Sequence, residues 1–523
     1  MPAPISLEEL KPVGLKVREI EGFLPSPHSR YVDWEALAGL KTDKKTKEIV
    51  TPEPETLQYT SFEAFHEYIL TVLRTYAAVL GEYGAIPKFA ADELVEKLRR
   101  KYVSWRSASD WEDKLGHDIR GVVAASQEVI SPKSRRYAYL ALTSNDSIST
   151  AYSLALRDVC YEVITPKGIE FGRTMLNRTK ELMAENNEPT IIIGRTHLQH
   201  AAPTTAEHWL MEKLGEVMPP LTSQLDHADN LRGKISGFVG TRAAQHFLFR
   251  KFIAAKDLEK ETLKRMHLSP DPLTGQIVHQ SYYMPYFTNM IDLASGIANF
   301  ADTIRHFQQT ELGEIFEQEL SERVGSSTGA HKRNPVDSEH VVSNYRTLMG
   351  DVTRAYLDYI SEFQRTLTDS ANKRFYIPEI PFLAYNMLRR GTKIAKNMTI
   401  RRDRMAQNLG ITQGLILGEP LQLALQYFTA GKGLDIDTHD HVRKLSSKAL
   451  EEEKPFIEIM EQDDLTKQLL EELDPENKEM LLDPKKYIGN VVEDVKEIVA
   501  EWEKQLNELE ERIKKHNETV KYI

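Results

Sequence analysis

MIDLASGIANFADTIRHF, residues 290–307, decides the architecture. Met290, Leu293, Ile297, Ala301, Ile304 and Phe307 recur at steps of three and four, which puts them on one face of an α-helix. The same spacing runs through Val342, Tyr345, Met349, Val352, Tyr356, Ile360 and Phe363. It returns in Val491, Val495, Ile498, Trp502, Leu506, Leu509 and Ile513. Helices this long bury such stripes against similar helices, so the spacing predicts an all-α fold built on an extended bundle. Strand signals are scarce, and the apolar run Ile191 to Ile193 is short. Pro219 and Pro220 interrupt the periodic run from Trp209 to Leu231, where they kink or break the helix because proline lacks the N–H and clashes with the preceding turn.

Loops are expected where Gly, Ser and Pro gather: Phe23 to Tyr31, Gly194 to Thr205, Gly233 to Gly240 and Val324 to Pro335. The chain divides coarsely into a helical domain at 1–142, a central long-helix domain at 143–388 and a helical C-terminal domain at 389–523.

At 523 residues, 41% hydrophobic and 28% charged, the chain can bury a large core and reads as globular. A net charge of -11 argues against nucleic acid as a partner but leaves room for a local cationic cluster that binds a small anion. Cys160 is the only cysteine, which excludes an internal disulfide and fits a reducing cytoplasm. The start, Met1 to Lys16, has no apolar core, so no secretory signal is expected. The apolar stretch Ile69 to Leu80 contains Arg74 and is too short to span a bilayer, so no membrane partner is expected. No Cys/His metal spacing or glycine fingerprint implies a metal or an organic cofactor.

Three polar segments carry candidate chemistry. VGSSTGAHKRNPVDSE, residues 324–339, sets a small-residue stretch beside Lys332, Arg333 and Asn334, which suits a loop that closes on an anion. Its bland alternative is a polar surface loop. GRTHLQHAAPTT, residues 194–205, surrounds His197 with hydrogen-bonding neighbours, as a proton-exchanging group near neutral pH requires, although a lone histidine is more often structural. LTSNDSISTA, residues 142–151, places Thr143 and Ser144 at a helix start with Asp146 in its first turn. That is a capping arrangement, and the same hydroxyls and helix N-terminus can also hold a carboxylate.

Together these segments resemble the signature regions of the fumarase/aspartase superfamily, with Gly325, Ser326, Ser327, Lys332, Asn334 and Pro335 matching the most specific pattern. Within it the chain resembles the adenylosuccinate lyases. Ser29-Arg30-Tyr31, Gly116-His117-Asp118, KISGFVG (234–240), PLTGQIVHQSY (272–282) and QRTLTDSANKR (364–374) carry that likeness. Four positions depart from the pattern: Gly329-Ala330 replaces Met-Pro, Thr366 replaces Asp, and Tyr139 stands where relatives usually carry a histidine.

The resemblance implies a three-domain fold whose long helices form a homotetramer core of about twenty helices, with each active site shared among three subunits. It implies β-elimination of fumarate from a succinylated purine nucleotide. Ser327 is then the base and His197 the acid, while Lys332 and Asn334 hold the succinyl carboxylates. His117, Asp118, Thr143, Ser144 and Gln276 bind substrate, and Arg30, Tyr31, Arg365, Ser370 and Arg374 serve the phosphate side. Ser326 supports the loop, and Glu339 orients a catalytic histidine or tunes its pKa. Competing readings are a superfamily lyase acting on argininosuccinate, aspartate or malate, which carry no phosphate, and a non-catalytic scaffold on the same fold.

Overall fold

The computed structural model describes residues 40–42, 49–52, 57–60, 62–185, 188–318, 331–360 and 362–520. Helix α1 (Asp118–Val129) leads into α2 (Ser144–Val159), which opens on the predicted cap: Thr143 is extended and forms a reciprocal capping box with Asp146. Nearly every side chain of α2 from Asn145 onward is buried, so the helix lies inside the molecule rather than on its surface. A π turn at Cys160–Ile164 joins it to α3 (Thr165–Ala184).

The stretch expected as a loop at Gly194 to Thr205 is instead most of a hairpin. Strand β1 (Ile191–Thr196) pairs antiparallel with β2 (Gln199–Thr205). The short run Ile191 to Ile193 suffices because its partner supplies the missing hydrogen bonds and Ile193 packs with Leu409 and Ile416. Next, α4 (Ala206–Gly215) ends and α5 (Met218–Asp229) begins around the two prolines. Pro219 and Pro220 sit in the first turn of α5, where an N–H has no helical partner to lose.

The centre consists of α6 (Met284–Phe307), α7 (Val336–Leu357) and α8 (Thr368–Asn397), each in contact with the other two. They run antiparallel in sequence. Gln280, just before α6, donates to Ala355 O at the far end of α7, whereas Gln308, just past α6, donates to Arg333 O near the start of α7. Pro378 and Pro381 lie inside α8, where each removes a helical N–H and favours a bend.

The stripe Met290 to Phe307 is buried within the chain, but the stripe from Val342 to Phe363 is not. Helix α7 stops at Leu357, so Ile360 and Phe363 fall outside it. The residues of α7 that face the core are Val341, Asn344, Leu348, Val352 and Ala355, while Met349 and Tyr356 are exposed and Phe363 is 96% exposed.

The last helix, α9 (Val491–Thr519), packs its apolar face on α3, α4 and α5 and shares the main core, while residues 417–481 gather around a second, smaller core. Leu506 lies against Gly172 so closely that a Cβ there would stand 3.1 Å from it. Arg173 pairs with Glu510, and Arg512 bridges Asp226 and Asp229. Among the described residues no helix is long and apolar enough to cross a membrane.

Because Leu506 is fully buried between α9 and α3, Leu506→Ala is expected to cost about 2–5 kcal/mol and to lower the melting temperature in a thermal scan. An unchanged melting temperature would mean that α9 does not dock there.

Candidate active site

Sequence-predicted site residues gather at two opposite ends of the central helices. At the N-terminal end of α6, Gly116 takes a left-handed conformation (φ 66) that ends the preceding helix and turns the chain so that His117 and Asp118 open α1. His117 Nδ1 lies 3.0 Å from Asp118 Oδ1, and Arg374 donates to Asp118 Oδ2 at 2.7 Å. Arg374 lies in the first turns of α8, four residues after Ser370. Arg365 donates to Gln276 Oε1 at 2.9 Å, and the Gln276 amide donates onward to Phe238 O at 3.0 Å.

Thr143 and Ser144 belong to the same group. Asn145 and Ile148 of α2 line one small cavity with Arg365 and Ser370. Tyr283, which caps α6, donates to Ser149 O and thereby fixes α2 against the start of α6. Burial holds the Tyr139 hydroxyl well above the usual tyrosine range, and the nearby Asp146 carboxylate adds to the shift. Tyr139 therefore stays a neutral hydroxyl across the working pH range and cannot replace a titrating histidine.

His197 lies at the other end. It and Leu198 form the two-residue turn of the hairpin, both with positive φ (53 and 63), as a tight turn matched to strand twist requires. The turn thrusts both side chains into solvent. Arg195, two residues earlier, makes a bidentate pair with the fully buried Glu314 at 2.9 and 2.7 Å. Asn408 donates to the same Glu314 carboxylate, and Glu314 N–H donates to Phe307 O at the C-terminal end of α6. Lys332 is exposed and Asn334 half-buried just before α7. Their base is fixed by Glu317, which accepts from the Asp337 and Ser338 N–H groups, and by Gln308, which bonds both Glu317 N–H and Arg333 O.

Ser326, Ser327, Arg30 and Tyr31 lie outside the described residues. Glu339 is exposed in the first turn of α7, where no described histidine hydrogen-bonds its carboxylate. Residues 50–350 match a protein-family model described as Lyase. The chain is 33% identical to an adenylosuccinate lyase of Pyrococcus abyssi over 442 residues, covering 84% of this chain and 94% of the relative. The chain belongs to the adenylosuccinate lyase family.

Solved structures share the fold. One is a 3-carboxy-cis,cis-muconate lactonizing enzyme from Pseudomonas putida, with a TM-score of 0.71 at 23% identity over 87% of this chain and 97% of that one. Another is a fumarate lyase from Mesorhizobium sp. BNC1, with a TM-score of 0.72 at 20% identity over 85% and 97%. In this adenylosuccinate lyase family member, the residues that sequence reasoning missed are the buried anchors Glu314, Glu317 and Gln308. Arg195 lies 119 residues from Glu314, and the contacts of Glu317 and Gln308 cross the turn between α6 and α7, so no helical spacing announces them.

Removing Glu314 leaves Arg195 without its carboxylate in a largely buried position. Glu314→Ala is therefore expected to lose roughly 3–5 kcal/mol of stability, seen as a lower denaturant midpoint. Where the variant remains folded, turnover should fall because the His197 hairpin loses its anchor. Full turnover with normal stability would show that the pair does not hold the hairpin.

Proposed function

We infer that this chain cleaves adenylosuccinate into AMP and fumarate, and that it acts likewise on the succinylated imidazole carboxamide nucleotide of purine biosynthesis. The observation that carries the reading is the pairing of Arg365 with Gln276 beside Arg374, Ser370 and the N-terminus of α2. Two guanidinium groups and a helix N-terminus at one end of the molecule suit a substrate with an anionic phosphate and carboxylates.

The roles follow from what elimination demands. Ser327 takes the proton next to a carboxylate, Lys332 and Asn334 hold the succinyl carboxylates as negative charge builds, and His197 protonates the departing nitrogen. Ser326 supports that loop, and Glu339 orients a catalytic histidine from another subunit. His117, Asp118, Thr143, Ser144 and Gln276 bind the substrate, and Arg30, Tyr31, Arg365, Ser370 and Arg374 take the phosphate side. A serine base needs a closed site whose donors stabilise its alkoxide, because a free hydroxyl is hardly ionised near neutral pH.

The functional unit is a homotetramer with sites shared between subunits. Two observations support this. Helix α6 has 24 residues and so spans about 36 Å, with His197 and Lys332 near one end and Gln276 and Arg365 near the other. The apolar outer face of α7 and the loop after it, with Tyr356, Ile360 and Phe363, is exposed in a single chain and suits a second copy. We place the enzyme in the cytoplasm, in keeping with its one buried, unpaired cysteine, whose thiol burial pushes up to about 12.

The direct test is to mix purified protein with adenylosuccinate and follow fumarate and AMP by chromatography; absence of both products overturns the reading. Arg365→Ala should raise KM more than it lowers kcat, because the phosphate charge is the same in ground and transition states. It should also erase the preference for phosphorylated over dephosphorylated substrate. Unchanged discrimination would remove Arg365 from the phosphate side.

A further inference from the structure

The loop KISGFVG, residues 234–240, carries a buried ion pair that links two groups of candidate site residues at the N-terminal end of α6. Lys234 and Asp146 are each 0% exposed, with Nζ 2.5 Å from Oδ1. Asp146 is fully engaged. One oxygen accepts the Thr143 N–H at 2.8 Å, and the other accepts Lys234 Nζ and the Gly237 N–H at 3.0 Å. A single carboxylate thus caps α2 and anchors the loop.

The loop is pinned at further points. The Thr150 hydroxyl accepts from Lys234 N–H at 3.1 Å and donates to Lys234 O at 3.0 Å. The Ser236 and Thr274 hydroxyls lie 2.6 Å apart. Gly240 has φ +78, and a Cβ there would stand 1.9 Å from Thr274 O, so only glycine permits this approach. Gln245, itself buried, donates to Ala141 O at 2.8 Å and holds the segment before Thr143 to the same loop. Phe238 O then receives the Gln276 amide, and Gln276 receives Arg365. A continuous path therefore runs from Thr143 through Asp146, Gly237, Phe238 and Gln276 to Arg365.

We propose that Lys234 and Asp146 are positioning residues, whose pair sets the spacing between the α2 cap that binds the succinyl end of the substrate and the Gln276–Arg365 pair on its nucleotide side. The proposal rests on the functional reading above. A buried ion pair is weak support for stability, since well-packed apolar side chains of similar volume often serve as well. What apolar side chains cannot supply is one group bonded at once to a helix cap and a loop. The spacing matters to a substrate that spans both subsites. It matters far less to AMP or fumarate, each of which fills one.

The test uses the full-length oligomer with Lys234→Met and with the double variant Asp146→Asn/Lys234→Met, which leaves no unpaired buried charge and guards against simple misfolding. Light scattering and circular dichroism verify assembly. Both variants are expected to lose about 10²-fold in kcat/KM for adenylosuccinate, the scale set by a misplacement of about 1 Å, while the Kd values for AMP and for fumarate by calorimetry move less than about threefold. Should Lys234→Met not assemble, the double variant decides. The proposal is overturned if an assembled double variant keeps kcat/KM within about threefold of wild type, or if product affinities fall by the same factor as kcat/KM. A double variant that cannot assemble also overturns it, by assigning the pair to folding. Wild-type protein that fails to cleave adenylosuccinate defeats the functional reading and this proposal together, whereas active wild type with unaltered variants defeats this proposal alone.

Discussion

The stiffness and length of α6 constrain everything else in the molecule. Its 24 residues form a rod of about 36 Å, buried along most of its length and held antiparallel to α7. The N-terminal end carries the Gln276–Arg365 pair, the His117–Asp118–Arg374 group and the cap of α2. The C-terminal end carries the His197 hairpin and the segment around Lys332. A rigid helix cannot fold back to bring such groups together, so under the proposed mechanism an active site needs more than one chain. The exposed apolar face of α7 lies where another copy can cover it.

Buried charge recurs where elements must keep a fixed relation. Arg195 and Glu314 tie the hairpin to the end of α6, Lys234 and Asp146 tie the 234–240 loop to α2, and Arg390 of α8 holds Asp337 in the first turn of α7. Burying each pair costs desolvation, which its mutual attraction and added hydrogen bonds offset. Such pairs resist small displacements because an unpartnered buried charge is far more costly than a slightly shifted apolar contact.

Much of the fold was legible because helices are local. The stripe Met290 to Phe307 became α6, Pro219 and Pro220 separated α4 from α5, and Thr143 with Asp146 capped α2. The stripe through Phe363 overran α7 because periodicity alone does not register that the chain turns after Asp358, where Phe363 takes a positive φ of 52. The hairpin was missed because a strand of six residues depends on a partner that spacing alone does not reveal. Candidate site residues on helix ends, such as His117, Ser144 and Arg374, stand out through short motifs. The anchor of the His197 hairpin, Glu314 paired with Arg195 across 119 residues, is a long-range contact with no signature in the local sequence.

The central claim is that the two ends of α6 serve different active sites, and subunit mixing tests it most directly. His197→Ala and Gln276→Ala chains, each inactive alone, would be unfolded together in equal amounts and reassembled, with mixed oligomers verified by native mass spectrometry using one tagged chain. If each site draws these residues from two subunits, independent sampling leaves both intact in one site in four, and activity should return towards roughly a quarter of wild type. Verified mixed oligomers that regain no activity would mean that both residues serve the same site from one chain, which contradicts the account.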